Sequence, residues 1–238
     1  IYSATLTDNP CGNQLSWYFT ARDSSGTTRS FPTSGAFAAP IAEGVEVLAA
    51  VDFDTDAGWS AQTTATAGGW ERAIPSTDSI SVDDCSAPGT DADGSGYCWV
   101  TGNGNSTFGC EFDIDGGSTV LTSTTYAVTD PNTEASFAWW YDNTSSNNTE
   151  FDDQFIVEAS GNSGSTWSTV LTISNGDSKS SGWSVASFRI GDFVTLSSGF
   201  QVRVTASDAD PGSVVEAGID AFRLSALDCG EPPTKCVA

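Results

Sequence analysis

From Gln14 to Arg22 apolar and polar side chains alternate, with Leu15, Trp17 and Phe19 interleaved with Ser16, Tyr18 and Thr20. That period of two is the signature of a half-buried β-strand. Similar short runs recur down the chain between Gly, Asn, Asp and Ser turns, and no window sustains a 3.6-residue apolar period. Strands are expected over residues 45–53, 69–73, 96–101, 118–123, 135–141, 154–160, 166–173, 183–190, 200–207 and 214–227. The runs on either side of Gly161-Asn162-Ser163-Gly164 read as a hairpin. Ten short strands at this spacing predict an all-β fold, an antiparallel jelly roll or two-sheet sandwich over residues 45–229, and no internal repeat stands out.

Ahead of it, residues 2–7, 14–22 and 27–32, with a turn at Asp23-Ser24-Ser25-Gly26, resemble the last three strands of a fibronectin III or immunoglobulin-like sandwich. Three strands are too few to close such a sandwich. The missing strands are therefore expected from elsewhere in a parent protein or from a neighbouring copy. Residues 34–40 read as a linker, which divides the chain into 1–40, 45–229 and a tail, 230–238. The whole reads as a mature or excised piece of a longer secreted protein.

Charge narrows the partners. The 238 residues carry 31 acidic against 8 basic side chains, a formal charge of -23. Phosphate-backbone binding needs the opposite footprint, so nucleic acid is excluded. An excess of this size repels itself, and the fold is expected to rely on divalent cations or external salt. No apolar run approaches the roughly 20 residues of a membrane span. Six cysteines in a chain without histidine point away from zinc and toward disulfides in an oxidising, extracellular or cell-surface setting. Cys229 and Cys236 are spaced to close a small loop around Pro232-Pro233, and Cys85 with Cys98 or Cys110 to staple an insertion.

The acidic residues are not scattered evenly. Asp52, Asp54 and Asp56, and far downstream Glu216 and Asp220, occupy alternate or near-alternate positions of predicted strands. A jelly roll brings first and last strands together, so these carboxylates are candidate ligands for structural Ca2+, which takes six to eight hard oxygens. The competing explanation is an edge strand blunted by charge. Asp91 and Asp93, and Asp113 and Asp115, sit in Asp-rich turns before glycine, but neither turn has the third acid or the terminal Glu of an EF-hand loop. Ordinary Asp-Gly turns explain them as well.

Three further groups are candidates. Trp139, Trp140 and Tyr141 are consecutive, so at least one ring points away from the core of a strand and is available to stack on a sugar. Asn105, Asn143 and Asn147 each begin an Asn-x-Ser/Thr sequon for glycosylation. Catalysis finds no support: without histidine there is no Ser-His-Asp or Cys-His arrangement, and no Walker loop or nucleophile elbow appears. Acid pairs such as Asp152 and Asp153 are too abundant here to single out a glycosidase.

Asp52–Trp59, Gly69–Arg72, Gly94–Val100, Leu121–Ser123, Phe137–Tyr141 and Ala217–Phe222 before Cys229 resemble the ordered landmarks of a MAM-like domain. The resemblance implies an extracellular jelly-roll module that mediates adhesion or is appended to secreted enzymes. Val51 stands where the animal pattern has a cysteine, and residues 85–110 read as an insertion, which favours a bacterial modular protein over a receptor. The expectation is a secreted, non-catalytic, calcium-stabilised module for adhesion or for glycan or surface attachment. Its partner is then an extracellular glycan or protein. Two rivals are a structural subunit, in which identical copies form a filament or surface layer by strand complementation, and an accessory domain of a secreted hydrolase.

Overall fold

The structure, a computed structural model, describes residues 11–75, 88–103, 112–144, 153–174, 182–209 and 213–229. Fifteen strands run through them: β1 Gln14–Trp17, β2 Phe19–Arg22, β3 Thr28–Phe31, β4 Phe37–Pro40, β5 Gly44–Val51, β6 Ser60–Thr63, β7 Trp70–Ala73, β8 Cys98–Thr101, β9 Gly117–Thr122, β10 Glu134–Thr144, β11 Gln154–Ser160, β12 Ser168–Ser174, β13 Ser184–Arg189, β14 Gln201–Asp208 and β15 Val214–Asp228. The helical content of the described residues is one 3-10 turn, Ile190–Asp192. The fold is all-β and antiparallel, as the alternation predicts.

Two sheets make the sandwich. One runs β13-β10-β15-β8-β7, with β5 also on β15, and the other runs β12-β11-β14-β9-β6. Their facing sides fill the core by alternation: Phe137, Trp139 and Tyr141 from β10 meet Phe155 and Val157 from β11 and Val202 and Val204 from β14. Trp139 stacks on Phe155 at 5.8 Å between ring centroids. Leaving out one such ring would cost ~3–5 kcal/mol in a core packed at normal density.

The longest strand, β15, breaks its own alternation once. Val215, Ala217 and Ile219 face the core at intervals of two, then Phe222 and Leu224 resume after a step of three. The extra residue is absorbed at Ala221, whose φ of 49° is left-handed. A bulge of this kind re-aims one side chain at a sheet's edge of regularity. Here the side chain is Asp220.

The chain forms two compact units, one of residues up to Glu46 and from Ser225 onward, the other Val47–Leu224. In the first, β1 pairs with β4 and β2 with β3 as separate two-stranded ribbons. Three expectations change. The run 14–22 is not one strand but breaks at Tyr18, residues 37–40 of the expected linker pair with β1, and the strand β6 was not expected at all. Residues 2–7 lie outside the described residues.

The cysteine pairing also differs. Cys229 bonds Cys11, with Cα atoms 5.4 Å apart across a separation of 218 residues, rather than the nearby Cys236. Cys98 is a free, buried thiol and not part of a staple. Cys85, Cys110 and Cys236 lie outside the described residues.

Candidate metal centre

The first acidic segment is a loop, not a strand: β5 ends at Val51, and Asp52, Asp54 and Asp56 are exposed in the turn that follows. What breaks the strand is Phe53, buried with φ 58°. Its ring meets Trp59 at 5.1 Å, Trp59 meets Phe222 at 5.3 Å, and the Trp59 indole N–H donates to the Tyr126 hydroxyl at 3.1 Å. This aromatic train fixes the acidic loop beside the bulge of β15.

A second acidic loop is stitched to the first. The Ser95 hydroxyl donates to the Asp52 carbonyl at 2.9 Å. Arg72 donates to the carbonyls of Phe53 at 2.9 Å and Asp54 at 3.2 Å while its guanidinium lies over the Tyr97 ring at 4.6 Å. Asp52 and Asp56 turn back on their own loop, accepting from the backbone N–H groups of Asp54 and Gly58.

The carboxylates that converge are Asp91, Asp93 and Asp220, with one oxygen of each within 4.8 Å of the others. Asp220 is fully buried and accepts from Ala92 N–H at 2.7 Å with Oδ2 and from Ala221 N–H at 2.7 Å with Oδ1. Burial, and after it the charges of Asp93 and Asp91, push its pKa up to about 7 against the two N–H groups. Asp91 goes the other way: burial is its largest single influence and raises it, but the N–H groups of Gly96, Gly94 and Ser95 and a hydrogen bond with Asp93 together hold it lowered. Cys98 stands close by, its thiol pushed far up by burial and then by Asp220, Asp91 and Asp93.

Three carboxylates at this separation, one of them dry, repel unless protonated or bridged by a cation. Each ionised carboxyl has lone pairs beyond the hydrogen bonds it accepts. The donor set is all hard oxygen, which fits calcium and not a thiophilic metal. The residues present therefore fit calcium: Asp91, Asp93 and Asp220 are the side chains that would hold it.

Asp113 and Asp115 belong to a different place. Asp113 is buried, and burial, then the charges of Asp115 and Asp208, push it up to about 7. Around it Asp208 accepts from the N–H groups of Gly116 and Ser213, and Asp153 accepts from Ala209 N–H, the Ser213 hydroxyl and the Asn143 amide. These oxygens are taken up by backbone and side-chain donors in a network that sequence periodicity does not reveal. Glu216 is buried in β15 and stands outside the converging group.

Two sets of candidates are overturned by burial. Trp139, Trp140 and Tyr141 are all buried, Trp140 to 2 % exposure, so they form no sugar-stacking platform. Trp140 does lie off the main core face, but Gly218 leaves room there for Trp140 and Trp183, and a methyl group on Gly218 would sit 2.8 Å from the Trp183 ring. Asn143 is buried, its amide donating to Asp153 and its carbonyl accepting from the Ser213 hydroxyl, and so offers no glycan acceptor. Asn105 and Asn147 lie outside the described residues.

No family model matches the chain, and no curated protein matches it. Among solved structures it is similar to one reported for the promiscuous specificity of carbohydrate-binding modules of the β-sandwich superfamily, at 14% identity and a TM-score of 0.46 over 91% of this chain and 74% of that one. It is also similar to a cleaved adhesin domain of Lys-gingipain from Porphyromonas gingivalis, at 12% identity and a TM-score of 0.44 over 75% of this chain and 98% of that one. A third is the family 11 carbohydrate-binding module from Clostridium thermocellum with a mixed-linked tetrasaccharide, at 13% identity and a TM-score of 0.41 over 78% and 98%.

Proposed function

We propose that this chain is a non-catalytic, calcium-stabilised β-sandwich module that works outside the cell in adhesion, attaching a larger protein to a glycan or another surface. The observation that carries the calcium part is the fully buried Asp220, with a carboxylate oxygen within 4.8 Å of those of Asp91 and Asp93. A calcium ion there ties the bulge of β15 to the loop 91–96, and through Ser95 and Arg72 to the loop 52–54. The ion thus serves the fold and not a reaction.

The Cys11–Cys229 disulfide favours an oxidising compartment. The absence of histidine from the sequence removes the commonest acid–base and nucleophile-activating chemistry. Attachment is the role we assign to the sandwich. The test is thermal unfolding of chelator-treated protein titrated with calcium. The midpoint rises with calcium and rises less with magnesium, which prefers its own water shell and a smaller cage; an unchanged midpoint overturns the proposal.

A further inference from the structure

Trp183 stands just before the edge strand β13, yet its ring reaches β15. In the sheet order β13-β10-β15 the strand β10 lies between them, a spacing of roughly 9–10 Å that only a long side chain covers. The ring ends at Gly218, where an added methyl group would sit 2.8 Å from Trp183 and 3.6 Å from Trp140. Gly218 is two residues before Asp220. The indole N–H of the same side chain donates to the Thr90 carbonyl at 2.7 Å, one residue before Asp91. One side chain thus touches both segments that supply the converging carboxylates.

Burial does not force the bond to Thr90, because Trp183 is only half-buried and Thr90 is exposed, so water could serve both groups. What the bond fixes is Asp91. A peptide group is planar, so holding the Thr90 carbonyl holds the plane that ends at the Asp91 Cα. The next plane is held from the other side, where Ala92 N–H donates to Asp220 Oδ2 at 2.7 Å. Two fixed planes leave Asp91 one φ/ψ pair and its Cβ one direction. That direction brings its carboxylate oxygen within 4.8 Å of those of Asp93 and Asp220.

We infer that Trp183 is the positioning residue of the calcium site, setting Asp91 opposite Asp220 through the Thr90–Asp91 peptide while touching no ion itself. The inference rests on the calcium reading and adds to it a residue outside the donor set. Trp183→Phe keeps an aromatic ring on the sheet and removes the N–H. The Thr90–Asp91 peptide is then ordered only when calcium binds, and ordering one more residue is drawn from the affinity.

Calcium titration calorimetry on wild type, Trp183→Phe and Trp167→Phe, below the melting range of all three, tests this beside circular-dichroism melts in chelator. The dissociation constant is expected to rise about tenfold in Trp183→Phe. Its chelator midpoint falls by no more than about 2–4 °C, since water replaces the indole at an exposed carbonyl. Trp167, whose ring lies under Arg203 at 4.5 Å, serves as control, and its variant keeps wild-type affinity. Wild-type binding with equal affinity in Trp183→Phe overturns this inference and leaves the calcium reading standing, whereas no binding in wild type removes both. An equal loss in Trp167→Phe overturns the inference as well. So does a Trp183→Phe chain that is unfolded or much less stable in chelator, because the indole then supports the fold and not the site.

Discussion

Replacing Asp220 by Asn separates the cost of its charge from the use of that charge. In the calcium-free protein a carboxylate moved from 3.8 to about 7 destabilises the ionised fold by on the order of 4 kcal/mol, at ~1.4 kcal/mol for each pKa unit. The folded pKa is raised, so the folded state holds the proton more tightly than the unfolded one. Calcium-free stability is therefore full below about pH 4 and falls as pH rises toward about 7. Asn carries no charge at any pH, but it can accept from only one of Ala92 and Ala221, which costs about 1–2 kcal/mol. In chelator the variant is thus less stable than wild type near about pH 4 and more stable by about 2 kcal/mol near about pH 8. Calcium reverses the second result, because at a hundredfold excess over its dissociation constant it stabilises wild type by ~2.7 kcal/mol and has lost a ligand in the variant. Thermal melts by circular dichroism at both pH values, with and without calcium, read all four states, at about 2–4 °C per kcal/mol for a chain of this size. Equal calcium shifts in wild type and variant, or a variant destabilised equally at both pH values in chelator, would refute the reasoning.

Trp140→Ala should lower stability by ~3–5 kcal/mol by emptying a buried site, and any glycan binding should fall only in step with the folded fraction measured on the same sample. Asp113→Asn should flatten a fall in stability between about pH 4 and pH 7, because Asp113 too is raised to about 7 by burial and by Asp115; urea melts across that window check it, and it should hold whether or not calcium is present. Cys11→Ser opens a covalent loop spanning 218 residues; the chain-entropy estimate puts the loss near ~5 kcal/mol. Matched melts of the variant and of oxidised wild type measure that loss.

Alternation made the sandwich legible. The expected strand 154–160 coincides with β11, and the other nine are displaced by one to three residues, because the period of two is imposed by burial on one face and these strands are half-buried. The break at Asp52 was not legible, since alternating acids read as a strand until Phe53 is known to be buried in a left-handed turn. Nor was the bulge at Ala221, which depends on how β15 fits both its neighbours and has no glycine to announce it. Asp91, Asp93 and Asp220 were all visible as acids, but their convergence is tertiary: it comes from the Phe53–Trp59–Phe222 contacts and the Arg72 hydrogen bonds. The consecutive Trp139-Trp140-Tyr141 signalled two-faced placement correctly and exposure wrongly, because the second face is packed as well, with Trp140 and Trp183 both against Gly218.

Isothermal titration of calcium into chelator-treated, buffer-exchanged protein, run on wild type and on Asp220→Asn, tests the central claim most directly. Saturable binding is expected in wild type, lost or weakened by at least about tenfold, ~1.4 kcal/mol, in the variant. No binding in wild type, or binding of the same affinity in Asp220→Asn, would contradict it.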